Sequence, residues 1–455
     1  MKRLPVAVLA MALVLSLCIP PVADAAAPEM KLDFREVVQG AKEKVFPAVV
    51  FIKCVRESHE RGKKQSIEVL GSGVIISAEG EVLTNWHVVD KAVEVRCLLT
   101  NGQGVDAKVL GTDKDVDLAV LKLDLKDKAP LPFAKLGDSS TLKEGDFVMA
   151  MGAPWGLARS VSIGIVSCTH RFLPGSSEYS LWLQTDASIS PGNSGGPLVN
   201  TEGEVVGITT LGSMAGGDLG FAIPSETIRD IVAQIRRSGK VDWCYSGLRL
   251  QPLRDFGRNI YFDAVEGVIV SGTDPESPAR RAGIQPRDRI VRINDKPLTA
   301  LTEEDLPAIR RELGFLPKGK PAKVELVRDG QPVTVEMTPC EKGKVEGEEL
   351  DCPRWDFTVK GINQFDTPDL YFLRKEGVFV FATRYPGNAQ SSGLQQQDIL
   401  LTVDGQDVKT LDDVKKIHKA AIDGVEKKHK IVVTVMRNGL MRQLVLDFSR
   451  DYEKE

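Results

Sequence analysis

The feature that most limits how this 455-residue chain can fold is a pattern that occurs twice in its C-terminal half. Gly267-Val268-Ile269-Val270 recurs as Gly377-Val378-Phe379-Val380, and other alanine, glycine and aspartate positions follow at the same spacing. The turns Asp329-Gly330 and Asn438-Gly439 also correspond, and each lies between strand-like runs that suit a β-hairpin. Solenoid repeats have periods of roughly 20–50 residues, so a longer period with only two copies predicts two like domains.

The segment before the repeat consists of short β-branched runs separated by glycine, aspartate and asparagine. Val49-Val50-Phe51-Ile52 and Val205-Val206-Gly207-Ile208 are examples. Several such strands in succession predict a sandwich or barrel rather than a βαβ fold. A helix is expected to follow, beginning near Ser225, which can cap it, and ending at Gly239.

The first 25 residues have the three-part pattern of a secretory signal. Lys2 and Arg3 form a basic start, an apolar run follows, and Ala23-Asp24-Ala25 ends it with small residues, after which cleavage is expected. An uncleaved membrane anchor is the alternative, because the apolar run is close to the minimum length for a span. Both interpretations predict an exported protein, with membrane-surface association only in the second.

Charge and cysteine content narrow the classes of partner and cofactor. The 59 Lys and Arg residues nearly balance 63 Asp and Glu residues, and no dense basic cluster favours a nucleic-acid partner. No C-x-x-C pair favours zinc or thioredoxin-type chemistry. Export permits disulfides; Cys340 and Cys352 flank an acidic, glycine-containing segment and could form one, whereas Cys54 and Cys97 are expected to be buried thiols. The pairing of the six cysteines after the signal stays open: Cys54, Cys97, Cys168, Cys244, Cys340 and Cys352.

The most informative stretch is Gly192-Asn193-Ser194-Gly195-Gly196. A serine hydroxyl is a poor nucleophile unless a base takes its proton during attack. Small neighbours allow the backbone to approach a reacting carbonyl, so that amide N–H groups can meet the developing oxyanion. The stretch therefore suggests a nucleophilic serine, with a tight glycine turn as the alternative.

A catalytic serine needs a histidine, and five histidines are available. His59, His170, His418 and His429 lie in polar or lysine-rich contexts and are interpreted as surface residues, whereas His87 follows an apolar strand. A carboxylate must then hold the imidazole in the right tautomer. Asp117 fits because it directly precedes an apolar strand, while Asp113 and Asp115 are interpreted as solvated turn residues.

The order histidine, aspartate, serine is that of chymotrypsin and not of subtilisin or the α/β-hydrolases. Over residues 34 to the end of the second repeat, the chain also resembles the HtrA/Deg serine proteases. The resemblance is densest in Thr84–Val89, Asp117–Leu121, Gly137–Ser139, Gly152–Gly156, Gln184–Asn200 and Gly220–Pro224. It implies a two-barrel, all-β chymotrypsin-like domain followed by two small mixed α/β PDZ domains.

Carried over by position, the resemblance implies a role for each site residue. Ser194 would be the nucleophile, His87 the general base and acid, and Asp117 its orienting partner. The N–H groups of Gly192 and Ser194 would form the oxyanion hole, with Asn193 shaping that loop, and Ile189 would line an apolar specificity pocket. No metal or organic cofactor is implied. Trp86 departs from the smaller or polar residue common in the family, and the loop near residues 57–69 is short for it.

The PDZ resemblance implies peptide binding at two loops. PDZ domains add an extended peptide to a sheet edge and hold its C-terminal carboxylate with backbone N–H groups. The first loop is assigned to Tyr245, Ser246, Gly247 and Leu248, and the second, a weaker match, to Val359, Lys360, Gly361 and Ile362. The expected boundaries are 1–25 for the signal, 26–240 for the protease domain, 243–342 for the first PDZ domain, 343–354 for a linker and 355–450 for the second PDZ domain.

The family resemblance implies an exported endopeptidase, most readily in a bacterial periplasm, that acts on misfolded or damaged proteins. It also implies trimer-based assemblies, with the segment near Phe34–Phe46 joining protomers. A chaperone-like peptide holder with little or conditional proteolysis is the alternative, because a wrongly turned Gly192–Ser194 loop would leave the enzyme at rest.

Overall fold

The computed structural model describes residues 33–126, 129–153, 159–176, 178–212, 219–255, 258–259 and 264–454. The signal expected at residues 1–25 lies outside these ranges. Within them, no helix has both the length and the apolar character needed to span a membrane.

The first part of the chain forms two closed antiparallel barrels. The first barrel contains β1 (Val49–Ser58), β2 (Gln65–Ile75), β3 (Glu81–Thr84), β4 (Ala92–Leu98), β5 (Gly104–Asp113) and β6 (Leu118–Leu123). The second contains β7 (Phe147–Gly152), β8 (Ser160–Arg171), β9 (Trp182–Thr185), β10 (Pro197–Val199), β11 (Val205–Gly212) and β12 (Gly220–Pro224). In the first barrel the strands are ordered β1-β2-β3-β6-β5-β4, and in the second β10-β11-β12-β9-β8-β7.

Three helices accompany the barrels. Helix α1 (Phe34–Val45) precedes the first barrel and is capped by Asp33, whose carboxylate accepts the N–H of Arg35. Helix α2 (Trp86–Val89) follows β3 directly. Helix α3 (Ser225–Ser238) buries its isoleucine face against the barrels and ends at Gly239, whose φ of 74° is the left-handed conformation that glycine adopts at little cost. The helix predicted after residue 224 is present.

The repeat forms two separate units, each with its own core. The first repeat unit contains β13 (Cys244–Tyr245), β14 (Leu248–Gln251), β15 (Arg254–Asp255), β16 (Arg258–Asn259), β17 (Val268–Thr273), α4 (Pro278–Arg281), β18 (Arg289–Ile293), β19 (Lys296–Pro297), α5 (Leu306–Gly314), β20 (Ala322–Arg328), β21 (Gln331–Met337) and β22 (Cys340–Glu341). Its main sheet has the order β14-β17-β18-β20-β21, with β14 at the edge.

The second repeat unit contains β23 (Glu349–Cys352), β24 (Phe357–Gly361), α6 (Pro368–Leu373), β25 (Val378–Thr383), α7 (Asn388–Ser391), β26 (Ile399–Val403), β27 (Gln406–Asp407), α8 (Leu411–Asp423), β28 (Lys430–Arg437) and β29 (Leu440–Asp447). Its order is β23-β24-β25-β26-β28-β29. The predicted fold class, a two-barrel all-β domain followed by two small mixed α/β units, is confirmed.

The segment expected to be a linker, residues 343–354, contains structure that the sequence did not reveal. Residues 349–352 form β23, which pairs with β24 along its whole length. Cys340 and Cys352 do not form the disulfide that was considered, and all six cysteines of the described residues are free. The physical reason is that Cys352 is fully buried in the core of the second repeat unit, whereas Cys340 lies in β22 of the first. Cys54 and Cys97 are buried thiols, and burial raises their pKa values to about 11 and about 12.

The second repeat unit contacts the first barrel where Glu349 meets two side chains, His59 and Lys91. His59 was interpreted as a surface residue, but its side chain is only 12% exposed and its Nδ1 lies 3.1 Å from Glu349 Oε2. Lys91 Nζ lies 2.5 Å from Glu349 Oε1, and the Thr358 hydroxyl donates to the His59 carbonyl at 2.6 Å. His418 is also partly buried, against Trp355, and burial lowers its pKa. His170 and His429 are exposed, as predicted.

Candidate active site

His87 and Asp117 meet at the border of the first barrel. His87 lies in α2, just after β3, and Asp117 is the last residue of the turn between β5 and β6. His87 Nδ1 lies 2.8 Å from Asp117 Oδ2 and 3.0 Å from Oδ1, and the His87 backbone N–H also donates to Oδ1 at 3.0 Å. Because Nδ1 and the backbone both engage the carboxylate, the ring orientation is defined and Nε2 is directed away from Asp117.

The backbone of Asp117 is held in a conformation that few residues adopt. Its φ is 57°, in the left-handed region, which aspartate tolerates better than most non-glycine residues. Two donors hold its carbonyl: the N–H of Trp86 at 3.2 Å and the side-chain amide of Asn85 at 3.0 Å. Strained residues persist where the surroundings over-determine them, and they concentrate at functional sites.

Thr210 is a site residue that sequence reasoning missed. It lies in β11, 3% exposed, and its hydroxyl donates to Asp117 Oδ2. Its carbonyl accepts a hydrogen bond from Ser194 Oγ at 3.1 Å. The only local signal was the pair Thr209-Thr210 interrupting an otherwise apolar strand, which does not reveal a partner 93 residues away.

Ser194 contacts Thr210, which also contacts Asp117, but the Ser194 hydroxyl is not hydrogen-bonded to the His87 imidazole. Within the described part of the chain, no hydrogen bond joins Ser194 to His87, because the serine hydroxyl donates to Thr210 instead. For Ser194 to act as a nucleophile, its hydroxyl would have to leave the Thr210 carbonyl and donate to Nε2 of His87. Catalytic hydrogen bonds are often loose in unliganded enzymes and tighten when substrate binds.

The turn before Ser194 presents two free N–H groups. Asn193 N–H donates to the Ser190 carbonyl at 2.9 Å, and Gly192 has a φ of 96°, which with Pro191 before it is the pattern of a type II turn. No acceptor among the described residues takes the N–H of Gly192 or of Ser194. Rotation of the Pro191–Gly192 peptide would convert this turn to type I and reverse the direction of the Gly192 N–H.

Two buried hydroxyls hold the carbonyls of this turn. Ser72 Oγ donates to the Gly192 carbonyl at 2.7 Å, and Thr209 Oγ1 donates to the Asn193 carbonyl at 2.9 Å. Because the C=O and N–H of a trans peptide point in opposite directions, the Thr209 contact directs the Ser194 N–H away from the core. The Asn193 side chain is buried, with 5% exposure.

Ile189 packs against Gly220, the first residue of β12. A Cβ added to Gly220 would lie 2.6 Å from Ile189 Cδ1, so the absence of a side chain at Gly220 leaves room for this contact. Trp86, the departure from the family pattern, has Lys114 Nζ 5.0 Å from the centre of its ring. Among the described residues, no group of three His, Cys, Asp or Glu residues could hold a metal ion.

The loop assigned to peptide binding in the first repeat unit borders an open edge. Residues 245–248 lead into the edge strand β14, and a cleft of about 440 Å³ separates that region from α5 and the barrels. Gly247 has a φ of 71°, and among the described residues nothing accepts its N–H. The Tyr245 hydroxyl donates to Asp274 Oδ2 at 2.8 Å and accepts from the Gln364 side chain at 2.8 Å.

The corresponding assignment in the second repeat unit was wrong. Gly361 N–H donates to the Glu348 carbonyl and Ile362 N–H to the Gly377 carbonyl, both at 2.9 Å, so neither is available to a ligand. Val359 and Lys360 pair on both sides, with β23 and β25. The reason is register: Val359 occupies the place of Leu250, so the structural counterpart of residues 245–248 is residues 354–357.

Comparisons with known proteins agree with this geometry. Residues 71–208 match the family model "Trypsin-like peptidase domain", and residues 269–313 match "PDZ domain". The chain is 35% identical over 390 residues to a probable periplasmic serine endoprotease DegP-like of Pseudomonas savastanoi pv. phaseolicola, covering 83% of this chain and 78% of that protein. It is 32% identical over 391 residues to the protein of the same name from Chlamydia muridarum, covering 84% and 75%. Among solved structures, the HtrA-type protease AlgW with decapeptide is 31% identical, with a TM-score of 0.58 over 67% of this chain and 99% of that chain.

Proposed function

Because this chain belongs to the HtrA/DegP-like family of serine endoproteases with PDZ domains, we propose that it degrades misfolded or damaged exported proteins and that peptides bound to its first repeat unit regulate it. Its relatives are named as periplasmic enzymes, and the periplasm is the location of this one. The proposed domains are a protease of residues 26–240, a first PDZ domain of 243–342, and a second that begins at β23.

The proposed reaction proceeds through an acyl-enzyme. His87 takes the hydroxyl proton of Ser194 as its oxygen attacks the scissile carbonyl, and Asp117 stabilises the imidazolium that forms. The N–H groups of Gly192 and Ser194 donate to the oxyanion. His87 then gives the proton to the departing amine, and a water molecule, deprotonated by His87, hydrolyses the ester and restores Ser194. Proton transfer and covalent catalysis by these side chains supply the chemistry.

The observation that carries this proposal is the double contact of His87 with Asp117 beside two free N–H groups. Replacing Ser194 with alanine removes the nucleophile but no core contact. Turnover of an unfolded protein such as casein should fall by about 10⁶-fold, by analogy with the subtilisin triad. Substantial proteolysis by a clean Ser194→Ala preparation would refute the assignment.

A second candidate, a chaperone-like peptide holder with conditional proteolysis, is favoured by one observation. Ser194 Oγ is bonded to the Thr210 carbonyl rather than to His87. Suppression of aggregation by Ser194→Ala, together with slow cleavage by the wild type, would support conditional proteolysis. Rapid cleavage by the wild type without any added peptide would argue for a constitutive protease.

The proposed partner of the first repeat unit is a peptide with a free C-terminal carboxylate. Two features support this partner: β14 is an edge strand, and the Gly247 N–H just before it has no acceptor among the described residues, as a carboxylate-binding N–H requires. A trimer-based homo-oligomer is also proposed. Phe34 and Phe147 have ring centres 4.7 Å apart and are 38% and 50% exposed, which leaves an aromatic surface that another protomer can cover.

A further inference from the structure

Trp243 occupies the connection between the barrels and the first repeat unit. It lies between α3 and β13 and is only 6% exposed. One face of its ring stacks on Tyr179 of the second barrel, with centroids 4.1 Å apart and an interplanar angle of 11°. Its other stacking partner is Phe315 of the first repeat unit, at 4.6 Å and 18°. The indole is therefore packed between two domains.

The indole N–H of Trp243 donates to a buried carboxylate. Nε1 lies 2.5 Å from Oδ2 of Asp113, which is 4% exposed. The other oxygen of Asp113 accepts the backbone N–H of Val116 at 2.9 Å. Asp113 was expected to be a solvated turn residue, but its side chain instead joins Trp243 to the turn that ends at Asp117.

Phe315, the stacking partner of Trp243 in the first repeat unit, connects the indole to the peptide cleft. Phe315 directly follows α5, and its N–H donates to the Arg311 carbonyl, so its position follows that of the helix. A Cβ added to Gly314 would lie 2.6 Å from the Trp243 ring, which shows how closely the helix end approaches the indole. Helix α5 also lines the cleft beside β14.

We propose that Trp243 is a positioning residue that couples the first repeat unit to Asp117, through its stack with Phe315 and its hydrogen bond to Asp113. The coupling presupposes the proposed function, because it needs Asp117 to orient His87 and a peptide to enter the cleft. A second contact supports the same route: Lys342 pairs with Asp115 of this turn at 2.7 Å. A ligand shifts an equilibrium only if it binds the two states differently, and displacement of α5 supplies such a difference.

The test uses the full chain with Trp243→Phe, which keeps an aromatic ring in the stack but removes the donor to Asp113. Cleavage of a short chromogenic peptide, too short to reach the cleft, is measured with and without decapeptides ending in valine or phenylalanine. Amidated decapeptides serve as ligand controls. We expect kcat without peptide to fall about tenfold with KM within twofold, and the acceleration by peptide to drop to near one, since allosteric coupling typically amounts to 5–150-fold.

Trp182→Phe is the matched control. Trp182 is 2% exposed, and its indole Nε1 has no hydrogen-bond partner among the described residues. The same substitution there replaces a buried indole with a smaller ring but breaks no hydrogen bond. The peptide should still accelerate this variant as it does the wild type. Phe315→Leu provides a second variant if Trp243→Phe folds poorly, because Phe315 is 43% exposed and stacks on a face of the indole, whereas Asp113 accepts from Nε1 at the ring edge. It should also lose most of the acceleration while binding the decapeptide.

The outcomes separate the two levels of proposal. If peptide accelerates the wild type, Trp243→Phe and Phe315→Leu equally, Trp243 carries no coupling and this inference is overturned, while the proposed regulation stands. If peptide binds the wild type without changing its kcat, the proposed regulation fails as well. A loss of acceleration in Trp243→Phe and Phe315→Leu, with acceleration retained in Trp182→Phe, supports the coupling.

Discussion

Asp356 in the second repeat unit occupies the backbone position that Gly247 occupies in the first, and both are left-handed, with φ of 58° and 71°. The carbonyl of each accepts the same hydrogen bond, from Arg384 in one unit and Asp274 in the other, at 2.9 Å. A Cβ at Gly247 would lie 2.1 Å from Cβ of Ser277, whereas a glycine, Gly387, makes room for Asp356.

This exchange predicts that only the first repeat unit binds C-terminal peptides. In the second unit β23 already fills the edge of β24, and a carboxylate stands in the loop. Transferring the pair to the first unit, as Gly247→Asp with Ser277→Gly, should weaken binding of a labelled decapeptide by more than tenfold, since Asp274 adds a second acid nearby. Fluorescence anisotropy measures it. Ser277→Gly alone is the control and should retain binding; undiminished binding by the double variant would show that an aspartate in this loop does not exclude a peptide carboxylate, which would remove the basis of the prediction.

Thr210 should contribute to catalysis through Asp117. Thr210→Val is close to isosteric and removes one donor to a carboxylate, a bond worth about 1.5–3 kcal/mol. We expect kcat for a short reporter to fall roughly tenfold to a hundredfold, with KM little changed. Thr434→Val is a suitable control, because Thr434 is also a buried strand threonine, and among the described residues its hydroxyl bonds only the neutral Thr402. An unchanged kcat in Thr210→Val would remove this residue from the catalytic set.

Cleavage should follow small or medium aliphatic residues such as valine or alanine. Ile189 packs against Gly220, and its neighbours Ser188 and Ser190 carry no charge, so a substrate cation would be buried without a partner there. Mass spectrometry of the products of a denatured protein gives the preference directly. Dominant cutting after lysine or arginine would contradict it.

Asp113 should make stability depend on pH in an unusual direction. Burial raises its pKa to about 6, and the neighbouring charge of Asp115 adds to this, although the Trp243 hydrogen bond opposes it. The folded protein therefore holds the Asp113 proton more tightly than the unfolded chain does. The stability contributed by protonated Asp113 is fully present below about pH 4, is lost as pH rises to about 6, and amounts to about 3 kcal/mol.

The measurement is the difference in urea unfolding free energy between wild type and Asp113→Asn, taken at steps from pH 4 to 7.5. Groups other than Asp113 cancel in this difference. The unfolding free energy of Asp113→Asn minus that of the wild type should increase as pH rises from 4 to 6 and should not change above pH 6. A difference that does not change over this range would show that Asp113 titrates normally.

The amino-acid pattern alone was enough to predict the fold class, the two like units and the order of the three candidate catalytic residues. Strand alternation is a local property, and the Gly192–Gly196 stretch and the repeat at a spacing of 110 residues can be recognised without knowing any tertiary contact. The strand register in the second unit could not be recognised in this way. Residues 359–362 resemble a ligand loop, but cross-strand pairing places residues 354–357 at that position.

The polar residues that surround the candidate site could be identified only from the folded chain. Thr210 meets Asp117 across 93 positions and Ser72 meets Gly192 across 120, so no local pattern identifies either. Asp113 lies beside a solvated-looking turn, yet Trp243, 130 residues away, covers it and donates to it. Burial and hydrogen-bond partners of this kind depend on which elements pack together, and that information is spread over the whole chain.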